Sequence, residues 1–367
     1  MLLTALAVLF ASTGCQARLS VSGTNLNYNG HHIFLSGANQ AWVNYARDFG
    51  HNQYSKGKST FESTLSDIQS HGGNSVRVWL HIEGESTPEF DNNGYVTGID
   101  NTLISDMRAY LHAAQRHNIL IFFTLWNGAV KQSTHYRLNG LMVDTRKLQS
   151  YIDHALKPMA NALKNEKALG GWDIMNEPEG EIKPGESSSE PCFDTRHLSG
   201  SGAGWAGHLY SAQEIGRFVN WQAAAIKEVD PGAMITVGSW NMKADTDAMG
   251  FHNLYSDHCL VKAGGKQSGT LSFYQVHSYD WQNHFGNESP FKHSFSNFRL
   301  KKPMVIGEFN QEHGAGMSSE SMFEWAYTKG YSGAWTWSRT DVSWNNQLRG
   351  MQHLKSRTDH GQVHFGL

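Results

Sequence analysis

Eight short apolar runs, rich in β-branched and aromatic residues, recur along the chain with helically spaced stretches between them; no other feature restricts the possible folds as strongly. The runs occupy residues 34–39, 75–80, 119–126, 171–177, 234–240, 272–279, 303–309 and 333–338. Between them, Leu103, Ile104, Met107, Leu111 and Ala114 repeat at helix spacing, as do Ile215, Phe218, Val219, Gln222 and Ile226. A strand that hands over to a helix returns parallel to its predecessor, and several runs are apolar on both faces, as a sheet covered on both sides requires. Eight such units suit a closed (β/α)8 TIM barrel better than an open doubly wound sheet, although periodicity alone does not show closure. The 367 residues exceed the ~250 of a plain barrel and leave room for long loops. No Pro-rich or Ser-rich linker and no fixed-period repeat divides the chain, so residues 18–367 read as one domain.

Outside the eight runs, segments 19–21 and 32–35 flank Asn29-Gly30, a hairpin turn pair. The expected hairpin precedes the first barrel strand and is read as a plug over the barrel floor. Residues 1–17, MLLTALAVLFASTGCQA, read as a secretory signal peptide, with Cys15 and Ala17 fitting its cleavage site, although no Lys or Arg precedes the apolar run. That run is too short to span a bilayer. Export leaves Cys192 and Cys259, an even count open to one disulfide or to two buried thiols. Asn287 heads a glycosylation sequon that Pro290 weakens. A formal charge of −3 offers nothing to nucleic acid or to an anionic membrane, and a monomer is expected. Residues 180–208, rich in Glu, Ser and Gly, show no periodicity and follow the fourth run, which places them over the barrel mouth.

Polar residues at the ends of buried strands carry the chemistry of barrel proteins. The fourth run ends in Asn176-Glu177 and the seventh in Gly307-Glu308, each a carboxylate where an unpaired charge would cost several kcal/mol. Arg77 lies inside the second run, and His277 and Tyr279 share a face at the end of the sixth. One cluster at the mouth satisfies them all. Arg77 and Tyr279 are expected to bond Glu308, keep it ionised and lower its pKa, while Glu177, with less compensation, keeps a proton near neutral pH. A carboxylate beside a carboxylic acid is the apparatus of retaining glycoside hydrolysis, with the two groups about 5–5.5 Å apart. Asp173 is read as structural. Glu83, Glu85, Glu179, Glu181 and Glu312 fall in loops and are expected to be solvated or at a substrate rim.

The elements Val76-Arg77-Val78, Asn176-Glu177-Pro178, His277-Ser278-Tyr279, Gly307-Glu308 and Trp335-Thr336-Trp337, in this order, resemble family 5 of the glycoside hydrolases over essentially the whole mature chain. Segments 79–85 and 172–178 run closest to the animal endo-β-1,4-mannanases of molluscan type. The resemblance implies Glu177 as acid/base, Glu308 as nucleophile, and Asn176 on the sugar 2-hydroxyl. It also implies His277 and Tyr279 as orienting groups and Trp337 as the floor of subsite −1. Where many members carry a His after the third strand, this chain has Trp126-Asn127. Trp126, Trp205, Trp240 and Trp281 are further candidate sugar platforms, and Trp335 is read as core.

Two rival functions stay open: an endo-β-1,4-glucanase or other β-glycanase of the same family, and a polysaccharide-binding protein without catalysis. The stretch from Gly202 to Gly207 matches a dinucleotide fingerprint by letter but follows no strand. Gly57-Lys58-Ser59 ends like a phosphate-binding loop but lacks its first glycine. Neither implies a cofactor, and no zinc-binding helix motif is present; no metal is expected.

Overall fold

The computed structural model describes residues 18–128 and 134–367. Residues 1–17, on which the signal-peptide reading rests, lie outside the described residues. The eight runs all become strands: β1 (Leu35–Asn39), β2 (Ser75–Ile82), β3 (Leu120–Asn127), β4 (Leu169–Asn176), β5 (Ile235–Ser239), β6 (Tyr274–His277), β7 (Met304–Glu308) and β8 (Gly333–Thr336). They pair in parallel in chain order, and β8 closes onto β1, so the sheet is a closed barrel. Every residue in these strands is buried, which accounts for their near-continuous apolarity.

The helices form where the spacing predicts them. The helix Ala212–Val229 buries Ile215, Phe218, Val219, Gln222 and Ile226 against the barrel. It starts at Ser211, whose side chain accepts from the Glu214 backbone N–H while the Glu214 carboxylate accepts from the Ser211 N–H, a reciprocal cap. Gly57-Lys58-Ser59 sits inside the helix Tyr54–Ser70, far from any phosphate-loop geometry.

The N-terminal plug is a three-stranded antiparallel sheet rather than the expected hairpin: Leu19–Ser22, Asn25–Tyr28 and His31–Ile33. Asn29 and Gly30, both at positive φ as a type I′ turn requires, join the second strand to the third. Leu26 and Tyr28 on the middle strand point with Leu19 and Ile33 into one apolar cluster with Phe122, Val305 and Trp335 from the barrel interior, so the floor is sealed. Nor is the stretch over the mouth structureless. Its 3-10 turns at Pro178–Glu181, Pro191–Phe193 and Arg196–Leu198 are stapled by a Cys192–Cys259 disulfide (Cα–Cα 5.1 Å) to the helix Asp257–Gly264.

Candidate active site

Arg77 is the hub of the mouth. β2 carries it into the barrel interior with no solvent exposure, so its charge must be met by protein. Its guanidinium donates to Asp173 Oδ2 (2.8 Å), Asn39 Oδ1 (3.1 Å), Asn176 Oδ1 (2.8 Å) and Glu308 Oε1 (2.7 Å). Asp173 is structural, as expected: it also accepts from Thr124 Oγ1, Gln275 Nε2 and the Gly238 N–H, which ties β3, β4, β5 and β6 together. Asn39 was not among the sequence candidates. Its Nδ2 donates to the Gly307 carbonyl beside Glu308, and its place at the end of β1 was the available signal.

Glu308 ends β7 and receives Arg77 on one oxygen and the Tyr279 hydroxyl (3.0 Å) on the other. Glu177 follows β4 in a left-handed conformation, φ 42° and ψ 57°, which turns its side chain into the mouth. Its backbone N–H is bonded to the Gly238 carbonyl at 2.6 Å. His277 stands between the two acids, Nδ1 being 2.9 Å from Glu177 Oε1 and 3.4 Å from Glu308 Oε2. Its Nε2 is buried without a hydrogen-bond partner, so the neutral ring places its proton on Nδ1, where both acceptors lie. Burial depresses the His277 pKa to about 4, which keeps the ring neutral.

The two acids differ in compensation. Burial raises Glu177 to about 7, opposed only by the field of Arg77. Glu308 is also raised, which corrects the expectation of a lowered value: burial outweighs the favourable fields of His277 and Arg77 and the Tyr279 hydrogen bond, and the charge of Glu177 adds to the rise. With a guanidinium and a phenol in direct contact, Glu308 is the better-stabilised anion, and the shared proton resides on Glu177. One oxygen of each acid and a ring nitrogen of His277 all lie within 4.8 Å of one another. Three such atoms could face a metal ion, but the guanidinium already occupies the charge that a cation would need.

Glu177 and Glu308 open onto a cleft of about 810 Å³ walled by Trp205, Trp240, Tyr279, Trp281 and Trp337. A second cavity of about 670 Å³ continues from it, sharing Trp205, Trp240, Tyr279 and Trp281 and ending at Asn241, Lys243 and Glu288. Of the predicted platforms, Trp126 is the exception. It is fully buried, its indole N–H bonds Gln222, and its ring packs against Tyr151 and Phe218 on the helix side. Trp126 is therefore core. Asn127 takes the place facing the mouth and accepts from Asn176 Nδ2 at 3.0 Å. Trp42 and Trp79, absent from the sequence candidates, pack against Trp337 edge-on and tilted, with ring centres 5.9 and 5.5 Å away. Glu83, Glu179 and Glu181 are fully buried rather than solvated, whereas Glu85 pairs with Arg47 at the surface.

An acid and a carboxylate converging on one aromatic-walled groove at the open end of a (β/α)8 barrel are equipped to break glycosidic bonds, which places the molecule among the barrel glycoside hydrolases. A family model described as Cellulase (glycosyl hydrolase family 5) matches residues 27–343. The chain belongs to glycosyl hydrolase family 5. It is 99% identical over 367 residues, all of both chains, to a mannan endo-1,4-beta-mannosidase of Mytilus edulis. The solved β-mannanase of that blue mussel superposes with a TM-score of 0.95 at 98% identity, covering 96% of this chain and 100% of that one. The β-1,4-mannanase of the sea hare Aplysia kurodai gives 0.94 at 48% identity, covering 95% and 100%.

Proposed function

We propose that the chain is a retaining endo-β-1,4-mannanase that cleaves internal mannosidic linkages of mannan, galactomannan and glucomannan, with Glu308 as nucleophile and Glu177 as acid/base. The observation that carries the reading is the close approach of two differently compensated carboxyl groups, within 4.8 Å through their nearer oxygens. Carboxyl groups this close fit the retaining arrangement, in which the carboxylate itself attacks the sugar, better than the wider one that accommodates a water. In the first step a Glu308 oxygen bonds the anomeric carbon while Glu177 gives its proton to the departing glycosidic oxygen. In the second, Glu177, now a carboxylate, takes a proton from water as that water displaces Glu308. His277 Nδ1–H steadies whichever acid is ionised. Asn176, held by Arg77 and Asn127, presents its amide toward the sugar 2-hydroxyl, and Trp337 floors the sugar under attack.

Mannan is chosen on the activity of the full-length relatives, and the retention of both acids argues against a binding-only role. Reducing-sugar release from galactomannan against carboxymethyl cellulose tests the choice: preference for galactomannan supports it, and preference for the cellulose derivative replaces it with a glucanase. Export as a monomer completes the proposal. The Cys192–Cys259 bridge suits an oxidising compartment, and no helix among the described residues is long and apolar enough to cross a membrane.

A further inference from the structure

Two residues beyond Glu177 the chain buries another carboxylate, Glu179, which takes no part in the chemistry above. Its side chain has no exposure and is saturated by donors: Ser239 Oγ (2.9 Å) and the Tyr255 hydroxyl (2.6 Å) reach Oε1, and the Trp240 backbone N–H (2.9 Å) reaches Oε2. Its main-chain carbonyl accepts from the Gly204 N–H at 2.9 Å, one residue before Trp205, and the next carbonyl, of Gly180, accepts from the Ala206 N–H at 2.9 Å. The side chain thus holds Trp240 at the end of β5, and the backbone holds Trp205 in the stapled loop. The two indoles meet at 5.3 Å between ring centres and wall both cavities. Asp245, buried beside this carboxylate, is pushed well above the ordinary range by burial and by the charge of Glu179; burial raises Glu179 as well, opposed by the hydrogen bonds from Trp240, Tyr255 and Ser239.

Glu177 must approach the glycosidic oxygen from the leaving-group side, and Trp240 and Trp205 hang from the same turn that carries it. Trp337, by contrast, follows β8, next to the strand that carries Glu308. We propose that Glu179 is a positioning residue that fixes the Trp240–Trp205 pair as the platform for the sugars of the leaving group, at a set distance from the proton donor. The inference rests on the retaining-hydrolase reading for its substrates but not for its geometry.

The test compares E179A, E179Q, Y255F and W240A on mannohexaose and on an aryl β-mannobioside, whose leaving group is not a sugar. E179A is expected to raise KM for mannohexaose about tenfold, the scale of one lost aromatic contact, while the aryl substrate changes no more than about twofold. W240A should reproduce that split, E179Q should restore part of it, and Y255F should shift KM in the same direction by a smaller factor. Equal losses on both substrates, or no change on either, would overturn the proposal. Should E179A fail to fold, Y255F decides on the same two substrates. Acrylamide quenching of indole fluorescence decides without substrate: quenching should increase in E179A, and the increase should vanish in a W240F background. Persistence of the increase there would contradict the anchor.

Discussion

The chemistry of single residues is set by which carboxyl group owns the buried cation. Arg77 touches Glu308 and not Glu177, so Glu308 is the anion and Glu177 the acid. Glu308→Ala should lower kcat on the order of 10^4-fold or more with the fold intact, and azide should restore turnover with inverted product, read by chromatography of the glycosyl azide. Because Glu177 must be protonated for the first step and its pKa stands at about 7, kcat/KM should fall as pH rises through about 7. In Glu177→Ala that alkaline limb should disappear, and aryl mannosides with good leaving groups should lose least rate. An unchanged limb would assign the titration to another group. The partnership of Arg77, Tyr279 and Glu308 was legible in the sequence, because a cation and a carboxylate buried inside one barrel need compensation from one another; that Arg77 divides its charge between Glu308 and Asp173 was not. The rise of the Glu308 pKa was not, because burial depth decides between opposing effects and has no sequence signature.

At the scale of elements, strand ends are where alternation stops predicting direction. On β3, Thr124 and Asn127 both face the interior although three residues apart, and the β2–β3 register shifts between Trp79 and Ile82. Trp126 is turned outward, its ring against Tyr151 and Phe218. Trp126→Ala should therefore destabilise the fold by about 3–5 kcal/mol in urea unfolding, with KM of the folded fraction unchanged. Trp337, half-buried at the mouth, should behave oppositely on alanine substitution, raising KM with a small change in midpoint. The barrel strands were legible because both faces are buried and the runs stay apolar. The middle strand of the floor sheet, Asn25–Tyr28, was hidden because only Leu26 and Tyr28 carry its apolar face. The burial of Glu83, Glu179 and Glu181, expected to be solvated or at a substrate rim, was hidden for a related reason: acidic letters in a loop do not disclose how tightly that loop packs.

Over the whole molecule, the same buried acids make stability depend on pH. Burial raises Glu83 and Glu181 to about 8 each, the charge of Glu83 adding to the rise of Glu181, against ordinary values of 4.5. Between those values each of these two groups holds a proton in the folded chain that it has lost in the unfolded one, so its contribution to stability falls as pH rises from about 4.5 to 8 and levels off above, while the buried neutral His277 contributes with the opposite sign below about 6.5. Glu181→Gln should flatten that decline, gaining on the order of 2 kcal/mol relative to the parent at pH 8.5 compared with pH 5, by denaturant melts. A parallel decline in both proteins would show that Glu181 is not buried with its proton. The central claim, that Glu308 attacks the anomeric carbon while Glu177 protonates the departing oxygen and then activates the incoming water, predicts the stereochemistry of the first-formed product. Proton NMR during the opening minutes of mannohexaose hydrolysis should show the β-anomer accumulating before mutarotation supplies the α; initial appearance of the α-anomer would contradict it.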